Sequence, residues 1–182
     1  MIDHIHRFTV PAAYALLPPA MASDRATAML LTIGLHEGDG FTARKQYHGG
    51  PAHSFWQLEP VAVREVLEHA RTKSAADSVV DALCYRVPKA TIARQTLELW
   101  EAMTHNDTLA YCLARLNLWT FPPALAGPDN PDLAWRQYLA IWKPGAYTRG
   151  TEEQRQQLRT AWNHHYAEAW SRVQAGTAAD AT

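Results

Sequence analysis

Glu37 is the side chain in this sequence whose position best suits a general acid. It closes the apolar stretch MLLTIGLHE at residues 29–37 and precedes the glycine-bearing GDGF. Burial and the negative end of a helix dipole both disfavour a carboxylate, so they raise the pKa of the carboxyl. A carboxylic acid held protonated in this way can give its proton to the departing oxygen of a glycosidic bond. The alternative is an exposed charge at a helix end, because most glutamates are exposed.

Two segments of the sequence stand out as a pair of motifs, IGLHEGDGF at residues 33–41 and GPAHSFWQLEP at residues 50–60. They resemble the leading motifs of lysozyme-like lytic transglycosylases. In that family a helix-ending Glu-Ser is followed, after a polar loop, by Gly-Ala-x-Gly-Leu-Met-Gln and often by an apolar residue and proline. More narrowly, the chain resembles a group of phage-encoded proteins with the lysozyme-like fold. The segments that carry this resemblance are MLLTIGLHE, GGPAHSFWQLE, LAYCLARLNLW and WKPG. The resemblance covers most of residues 13–145.

The resemblance implies a set of site residues. Glu37 would be the catalytic acid, and Gln57 would line the cleft beside it. Phe55 and Trp56 would form the apolar floor of the motif, while Tyr111 would pack near the acid as the start of an Ala-Tyr-Asn motif. The substrate-binding candidates are Gln57, Phe55, Trp56, Tyr111, Glu59 and His53.

The sequence also departs from the family pattern. Gly38 stands where the family usually has serine, and Cys112 replaces the asparagine of the third motif. His53 and Ser54 stand where x-Gly is expected, which places a side chain in a tight turn. None of these changes removes the acid, but a descendant of the fold that binds without cutting remains an alternative.

The family mechanism needs a single carboxyl group. Glu37 would protonate the oxygen between N-acetylmuramic acid (MurNAc) and N-acetylglucosamine (GlcNAc), then accept the proton of the C6 hydroxyl, which leaves a 1,6-anhydro product. Hydrolysis by a muramidase would require a second carboxylate, for which Asp39 and Glu59 are the candidates. Asp39 can instead cap its own loop, and Glu59 can instead favour the start of a helix at Pro60. Both alternatives stay open.

Two non-enzymatic alternatives compete with this interpretation. One is a virion or wall-binding protein that keeps the cleft for docking and has lost turnover. The other is a helical interaction module in which all the helix-borne tryptophans are core residues. These are Trp100, Trp119, Trp135, Trp142, Trp162 and Trp170. The presence of Glu37 together with Gln57 favours the enzyme.

Composition and charge limit the partners. The 182 residues are 47% hydrophobic and 19% charged, with a formal net charge of −1, so no overall field draws the chain to nucleic acid. No apolar run is long enough for a membrane span. Cys84 and Cys112 lack metal-ligand spacing and predict buried free thiols. The expected partners are peptidoglycan glycan strands and other phage virion proteins. The expected location is a phage particle, or the host cytoplasm before release onto the periplasmic cell wall.

The histidines and the basic residues near the motifs do not predict a cofactor. The gaps of twelve and five residues between His36, His48 and His53 fit no helical ligand pair. Adjacent His164 and His165 have the wrong geometry for one ion. We therefore expect no metal and no cofactor. Two loop cations could pair with substrate carboxylates or simply face water, namely Arg44 and Lys45.

The elements that must position these residues predict an all-α, lysozyme-like domain over residues 1–175, with a disordered tail at 176–182. A helix capped by Ser23 or Asp24 ends at Gly38, and a loop or small hairpin follows over residues 41–57. A further helix is predicted from Pro60 to about Arg71, and the next one begins after a cap at Ser74. Three more are predicted over residues 88–103, 106–119 and 131–142, and the last begins at a capping box at Thr151.

Overall fold

The computed structural model describes the backbone of residues 1–180 and the side chains of residues 1–176. Within that part of the chain the protein is mostly helical and has no β-strand, which confirms the all-α prediction. The helices follow in this order: α1 (Ile2–His4), a π-helical turn (Ile5–Thr9), α2 (Val10–Tyr14), α3 (Asp24–Glu37), α4 (Pro60–Glu68), α5 (Lys73–Ala82), α6 (Ile92–Ala102), α7 (Asp107–Trp119), α8 (Pro131–Trp142), α9 (Gly145–Arg149) and α10 (Glu152–Asp180), with 3₁₀ turns at Pro19–Met21 and Tyr47–Gly49.

Helix α3 is the central element of the fold, and it carries the predicted acid at its last position. The Ser23 hydroxyl caps its start by accepting the Ala26 N–H at 3.2 Å. Every residue from Ala26 to Leu35 is buried, because α10 packs along one side of α3 and α7 contacts another. A helix buried on all sides is rigid, so its C-terminus is a firm support for a reactive side chain.

Most of the predicted helices are present. α8 has the predicted bounds, α7 is capped by Asn106, and the Thr151 capping box is formed in both directions. The predicted cap at Ser74 is wrong. α5 starts at Lys73, and the preceding Thr72 directs its hydroxyl to the Val66 carbonyl oxygen at 2.7 Å, which ties α5 to the end of α4.

The segment that joins α3 to α4 is irregular, as predicted. Two isolated antiparallel bridges, Lys45 with His53 and His53 with Leu58, fold it back on itself. Ser54 and Gln57 both adopt left-handed backbone conformations, with φ of 65° and 47°. This tight double turn brings the end of the segment back against the C-terminus of α3.

The two ends of the chain differ from expectation. Residues 2–14 are helical although the sequence analysis predicted no helix there, and a π-helical turn precedes Pro11, which has no N–H to donate. α10 continues to Asp180, so the predicted disordered tail is helical over residues 176–180, and residues 181 and 182 lie outside the described part. None of the helices over residues 1–180 combines the length and apolar character that a membrane crossing needs.

Candidate active site

Glu37 is largely buried at the C-terminal end of α3, yet it opens into a cleft. Burial raises the pKa of its carboxyl above 4.5, the ordinary value, and a hydrogen bond from the Tyr138 hydroxyl to Oε1 opposes that rise. The negative end of the α3 dipole acts in the same direction as burial. No cation of the described residues pairs with Glu37. The side chain is therefore held in one place and disposed to keep its proton.

Tyr138 is held by a cluster of rings behind the acid. Its ring stacks on Trp162 with centroids 4.5 Å apart, and Trp135 lies 5.3 Å away. His36, the neighbour of Glu37, packs edge-on to Tyr138 and faces His165 at 5.6 Å. These contacts join α3, α8 and α10, so the hydroxyl that contacts Glu37 is fixed by the core.

The cleft in front of Glu37 has a volume of about 490 Å³. One wall is formed by residues 43–59 and the other by residues 142–149. Trp142 anchors the two walls to each other, because its Nε1 donates to the Trp56 carbonyl oxygen at 2.8 Å. We call this cleft the acid cleft. It is a groove between an irregular loop and the end of α8.

Gln57 lines the acid cleft together with Glu37, as the sequence analysis predicted. Its amide nitrogen donates to the Ser54 carbonyl oxygen at 2.7 Å and lies 3.4 Å from that of Ala43. Both contacts use the NH₂ group, and no described residue donates to Oε1. The carbonyl oxygen of the side chain therefore remains as an acceptor for a ligand hydroxyl.

The two candidates for a second carboxylate lie in different environments. Glu59 is exposed and lines the acid cleft, and its side chain makes no capping hydrogen bond at the start of α4. Asp39 is not part of the lining. Its carboxylate accepts the Tyr47 hydroxyl at 2.9 Å and the Thr42 hydroxyl at 3.4 Å, which is the loop-capping alternative.

Phe55 and Trp56 do not line the cleft, so their prediction as substrate-binding residues needs correction. Phe55 is 1% exposed and Trp56 is fully buried. Trp56 donates its Nε1 hydrogen to the Leu30 carbonyl oxygen at 2.9 Å, and Phe41 packs on Phe55. The two rings lock the loop onto α3 and form a floor below the surface that a substrate could reach.

His53 and Tyr111 also lie away from the cleft and cannot contact its contents. His53 is buried, stacks on Trp100 with centroids 3.9 Å apart, and lies 2.9 Å from the Thr104 hydroxyl. Tyr111 is fully buried and donates to the Tyr14 hydroxyl at 3.2 Å. Both were predicted from motif positions, and both serve the core instead.

Two of the positions at which the sequence differs from the motifs it resembles have structural reasons. A Cβ added to Gly38 would lie 2.6 Å from the Phe55 carbonyl oxygen, so the serine of the resembled motif would not fit here. Ser54 occupies a left-handed conformation that glycine favours, and its Oγ accepts the Trp56 N–H at 3.3 Å. That bond offsets part of the backbone cost.

Two further cavities adjoin the acid cleft and extend it. One, of about 230 Å³, shares Gln57, Glu59, Trp142 and Lys143 with it. The other, of about 660 Å³, shares Gln46, Gly145, Ala146 and Arg149. Because each shares lining residues with the acid cleft, the three cavities are neighbours, and we call them together the trough. An extended surface of this kind suits a chain polymer.

Three cations face this trough without an ion pair among the described residues: Lys45, Lys143 and Arg149. Arg44, in contrast, is committed to the protein. Its guanidinium pairs with Asp107 and lies over the Phe55 ring at 4.1 Å. Of the two loop cations in the sequence analysis, only Lys45 is therefore available to a ligand.

Three aromatic residues of the site were missed or misplaced. Tyr138 makes its contact through tertiary packing across 101 residues of sequence, and no local pattern signals it. Tyr47 lines the cleft and is 62% exposed, and an exposed aromatic in a glycine-bearing loop is a usable signal. Trp142 is a core residue in the interaction-module alternative, but it lines the cleft.

No group of three or more histidine, cysteine or acidic side chains in the described part of the chain has the arrangement of a metal site. Of the two cysteines, Cys112 is buried and Cys84 is exposed, so the prediction of two buried thiols is half right. No protein-family model, curated protein or solved structure matches the chain.

Proposed function

We propose that the protein is a lysozyme-like, peptidoglycan-degrading enzyme that cleaves the bond between MurNAc and GlcNAc as a phage lytic transglycosylase. The single observation that carries the proposal is Glu37, a largely buried carboxyl with a raised pKa that opens into the trough and accepts a hydrogen bond from Tyr138. The order and spacing of the two sequence motifs support the same activity.

In the proposed reaction Glu37 first donates one proton and then accepts another. Its carboxyl hydrogen passes to the glycosidic oxygen as the C1–O bond breaks, and the resulting carboxylate takes the proton of the C6 hydroxyl while the C6 oxygen bonds to C1. The Tyr138 hydroxyl stabilises the carboxylate between the two transfers, because a donor favours the charged form. The acid ends the cycle protonated.

The shape and chemistry of the trough support a polysaccharide substrate. Trp142 and Tyr47 offer rings on which a pyranose can stack, and Gln57 offers an acceptor for hydroxyls. The unpaired Lys45 and Lys143 can meet carboxylates of muramic acid or its peptide. Phage virion proteins, a virion or pre-lysis cytoplasmic location, and action on the periplasmic wall are further parts of the proposal.

A hydrolytic muramidase is the second candidate, because Glu59 lines the same cleft as Glu37. In that reaction a second carboxylate would activate water or attack C1, at roughly 5 to 9.5 Å from the acid depending on stereochemistry. The reducing ends of the products would then carry a free hydroxyl rather than a 1,6-anhydro ring.

Digestion of purified peptidoglycan, with mass spectrometry of the soluble products, tests both candidates. Wild-type protein is expected to release anhydro-muropeptides that Glu37→Gln does not release and Glu59→Gln still does. Reducing muramyl ends that disappear in Glu59→Gln would instead indicate the muramidase. If the wild type binds sedimented peptidoglycan but releases nothing, the enzyme proposal fails and a wall-docking protein remains.

A further inference from the structure

The largest cavity of the trough has a lining that differs from that of the acid cleft beside it. It lies against α9 and the first turns of α10, and its polar side chains are Gln46, Arg149, Gln154 and Gln157. No aromatic side chain of the described residues lines it, so it offers no platform for stacking a sugar ring. We call it the amide pocket.

Amide side chains and one guanidinium suit a peptide better than a sugar. A glutamine side chain without other partners can donate to one peptide carbonyl and accept from one peptide N–H. The side-chain carbonyl oxygen of Gln46 lies 3.4 Å from the Ala52 N–H, from which it accepts. Gln154 already accepts the Thr151 N–H at 2.8 Å, whereas Gln157 has no hydrogen-bond partner among the described residues. Leu158 and Ala161 add a small apolar surface for a side-chain methyl group.

Arg149 stands where the amide pocket meets the acid cleft, because it lines both. It has no carboxylate partner in the described chain, although its neighbour Arg155 reaches Glu152 at 3.9 Å. A Cβ on Gly145 would lie 2.4 Å from an Arg149 terminal nitrogen, so the absent side chain of Gly145 leaves room for the guanidinium at this junction. A guanidinium binds a carboxylate with two parallel hydrogen bonds.

We infer that the amide pocket binds the peptide stem of the strand whose glycan lies in the acid cleft, with Arg149 pairing with a stem carboxylate and Gln157 contacting the peptide backbone. This inference rests on the proposed substrate. It makes the protein selective for strands that still carry their peptides, since a stripped glycan keeps only the lactyl carboxylate of muramic acid and offers no peptide backbone to Gln157.

Binding to two matched ligands tests this without requiring turnover. Isothermal titration uses Glu37→Gln protein and a GlcNAc-MurNAc disaccharide with or without its peptide stem. The peptide-bearing ligand is expected to bind about tenfold more tightly, and Arg149→Ala is expected to remove that difference. Arg149→Lys should restore part of the difference. Arg136→Ala, an exposed arginine outside the trough, is the matched control and should change neither affinity.

Equal affinity for the two ligands, or a peptide preference that survives both Arg149→Ala and Gln157→Ala in proteins with wild-type melting temperatures, would overturn the inference. The outcome is separable from that of the proposed function. A peptide preference without any cleavage by the wild type would support the assignment of the amide pocket and contradict the proposed enzyme activity. Cleavage without a peptide preference would support the enzyme activity and contradict the assignment of the pocket.

Discussion

The acid cleft and a second cavity, lined by residues of the N-terminal helices, α3 and α10, differ in chemistry although they are similar in size. The second cavity has a volume of about 590 Å³ and holds two carboxylates, Asp3 and Asp24. Asp3 pairs with Arg172 at 3.3 Å, and Asp24 is exposed in the first turn of α3. We call this second cavity the N-terminal cavity. Each of its two carboxylates is either paired with a cation or exposed to solvent.

The comparison shows that volume and charge do not by themselves make a site for acid catalysis. Both ends of α3 carry a carboxyl, Asp24 in the first turn and Glu37 at the last position, and only at the C-terminal end does the negative end of the helix dipole disfavour a carboxylate. Only Glu37 is also desolvated and held by a tyrosine hydroxyl. Matched substitutions in the two cavities can break or sharpen this difference.

The largest expected effect is on turnover when the cleft carboxyl is replaced. Glu37→Gln should lower the rate of glycan cleavage by about 10²- to 10⁴-fold, because the amide has no proton of suitable acidity to donate. Asp24→Asn in the N-terminal cavity should leave the rate unchanged. Release of soluble muropeptides measures both, and equal losses in the two variants would contradict the distinction.

The next effect concerns stability against acid. Burial next to His165 lowers the pKa of His36 to about 4, from 6.5 in an unfolded chain. The unfolded state therefore takes up the proton first, and stability present above pH 6.5 is lost as the pH falls toward 4, by on the order of 3 kcal/mol. The raised pKa of Glu37 acts in the opposite sense.

Urea denaturation at several pH values checks this. His36→Leu should flatten the decline between pH 6.5 and 4. His6→Gln in the N-terminal cavity should flatten it less, because His6 is less buried and Asp3 partly offsets the lowering of its pKa. An unchanged slope in His36→Leu would show that His36 does not carry the pH dependence.

A smaller effect on stability is expected from the backbone contact below the cleft. Gly38→Ser should cost about 1 to 3 kcal/mol, because the new Cβ meets the Phe55 carbonyl oxygen, which cannot move alone. Gly176→Ser beside the N-terminal cavity should cost less than about 1 kcal/mol, since its Cβ meets only the tip of the His6 ring. Thermal unfolding that ranks the two variants in reverse would contradict this account.

The smallest expected effect belongs to the tyrosine that contacts the acid. Tyr138→Phe should lower cleavage by about five- to tenfold through loss of one hydrogen bond. It should also raise the Glu37 pKa further and move the alkaline limb of the pH–rate profile upward. Tyr14→Phe, which removes a 2.9 Å contact with Thr27 in the N-terminal cavity, should leave the limb in place. If the alkaline limb moves in neither variant, the Tyr138 hydroxyl does not influence the pKa of Glu37, which would contradict this account.

The helices were predictable where caps and apolar spacing agreed. Ser23, Asn106, Asn130 and Thr151 each cap a helix with their own side chain, so α3, α7, α8 and α10 start within a residue or so of the predicted positions. The N-terminal helices were missed because Pro11, Pro18 and Pro19 are typical of a loop. Pro11 instead sits in the first turn of α2, where a missing N–H costs little.

The site was predictable only in part. Glu37 and Gln57 lie in the same cleft, as their motif order indicates. Residues 52–56 are all buried in a turn with left-handed conformations at Ser54 and Gln57, which no sequence period describes, so Phe55 and Trp56 were wrongly assigned to the substrate surface. Tyr138 comes from the opposite half of the chain. Its contact with Glu37 depends on how α8 packs against α3, which no local sequence pattern predicts.

The most direct test of the central claim is to compare the titration of Glu37 with the pH dependence of catalysis. Side-chain carboxyl NMR of the wild type, assigned by Glu37→Gln, gives the pKa of Glu37, and muropeptide release gives the alkaline limb of the rate profile. A Glu37 pKa above 4.5 that coincides with that limb is the expected result. Cleavage that continues undiminished where Glu37 is fully ionised would contradict its role as the acid.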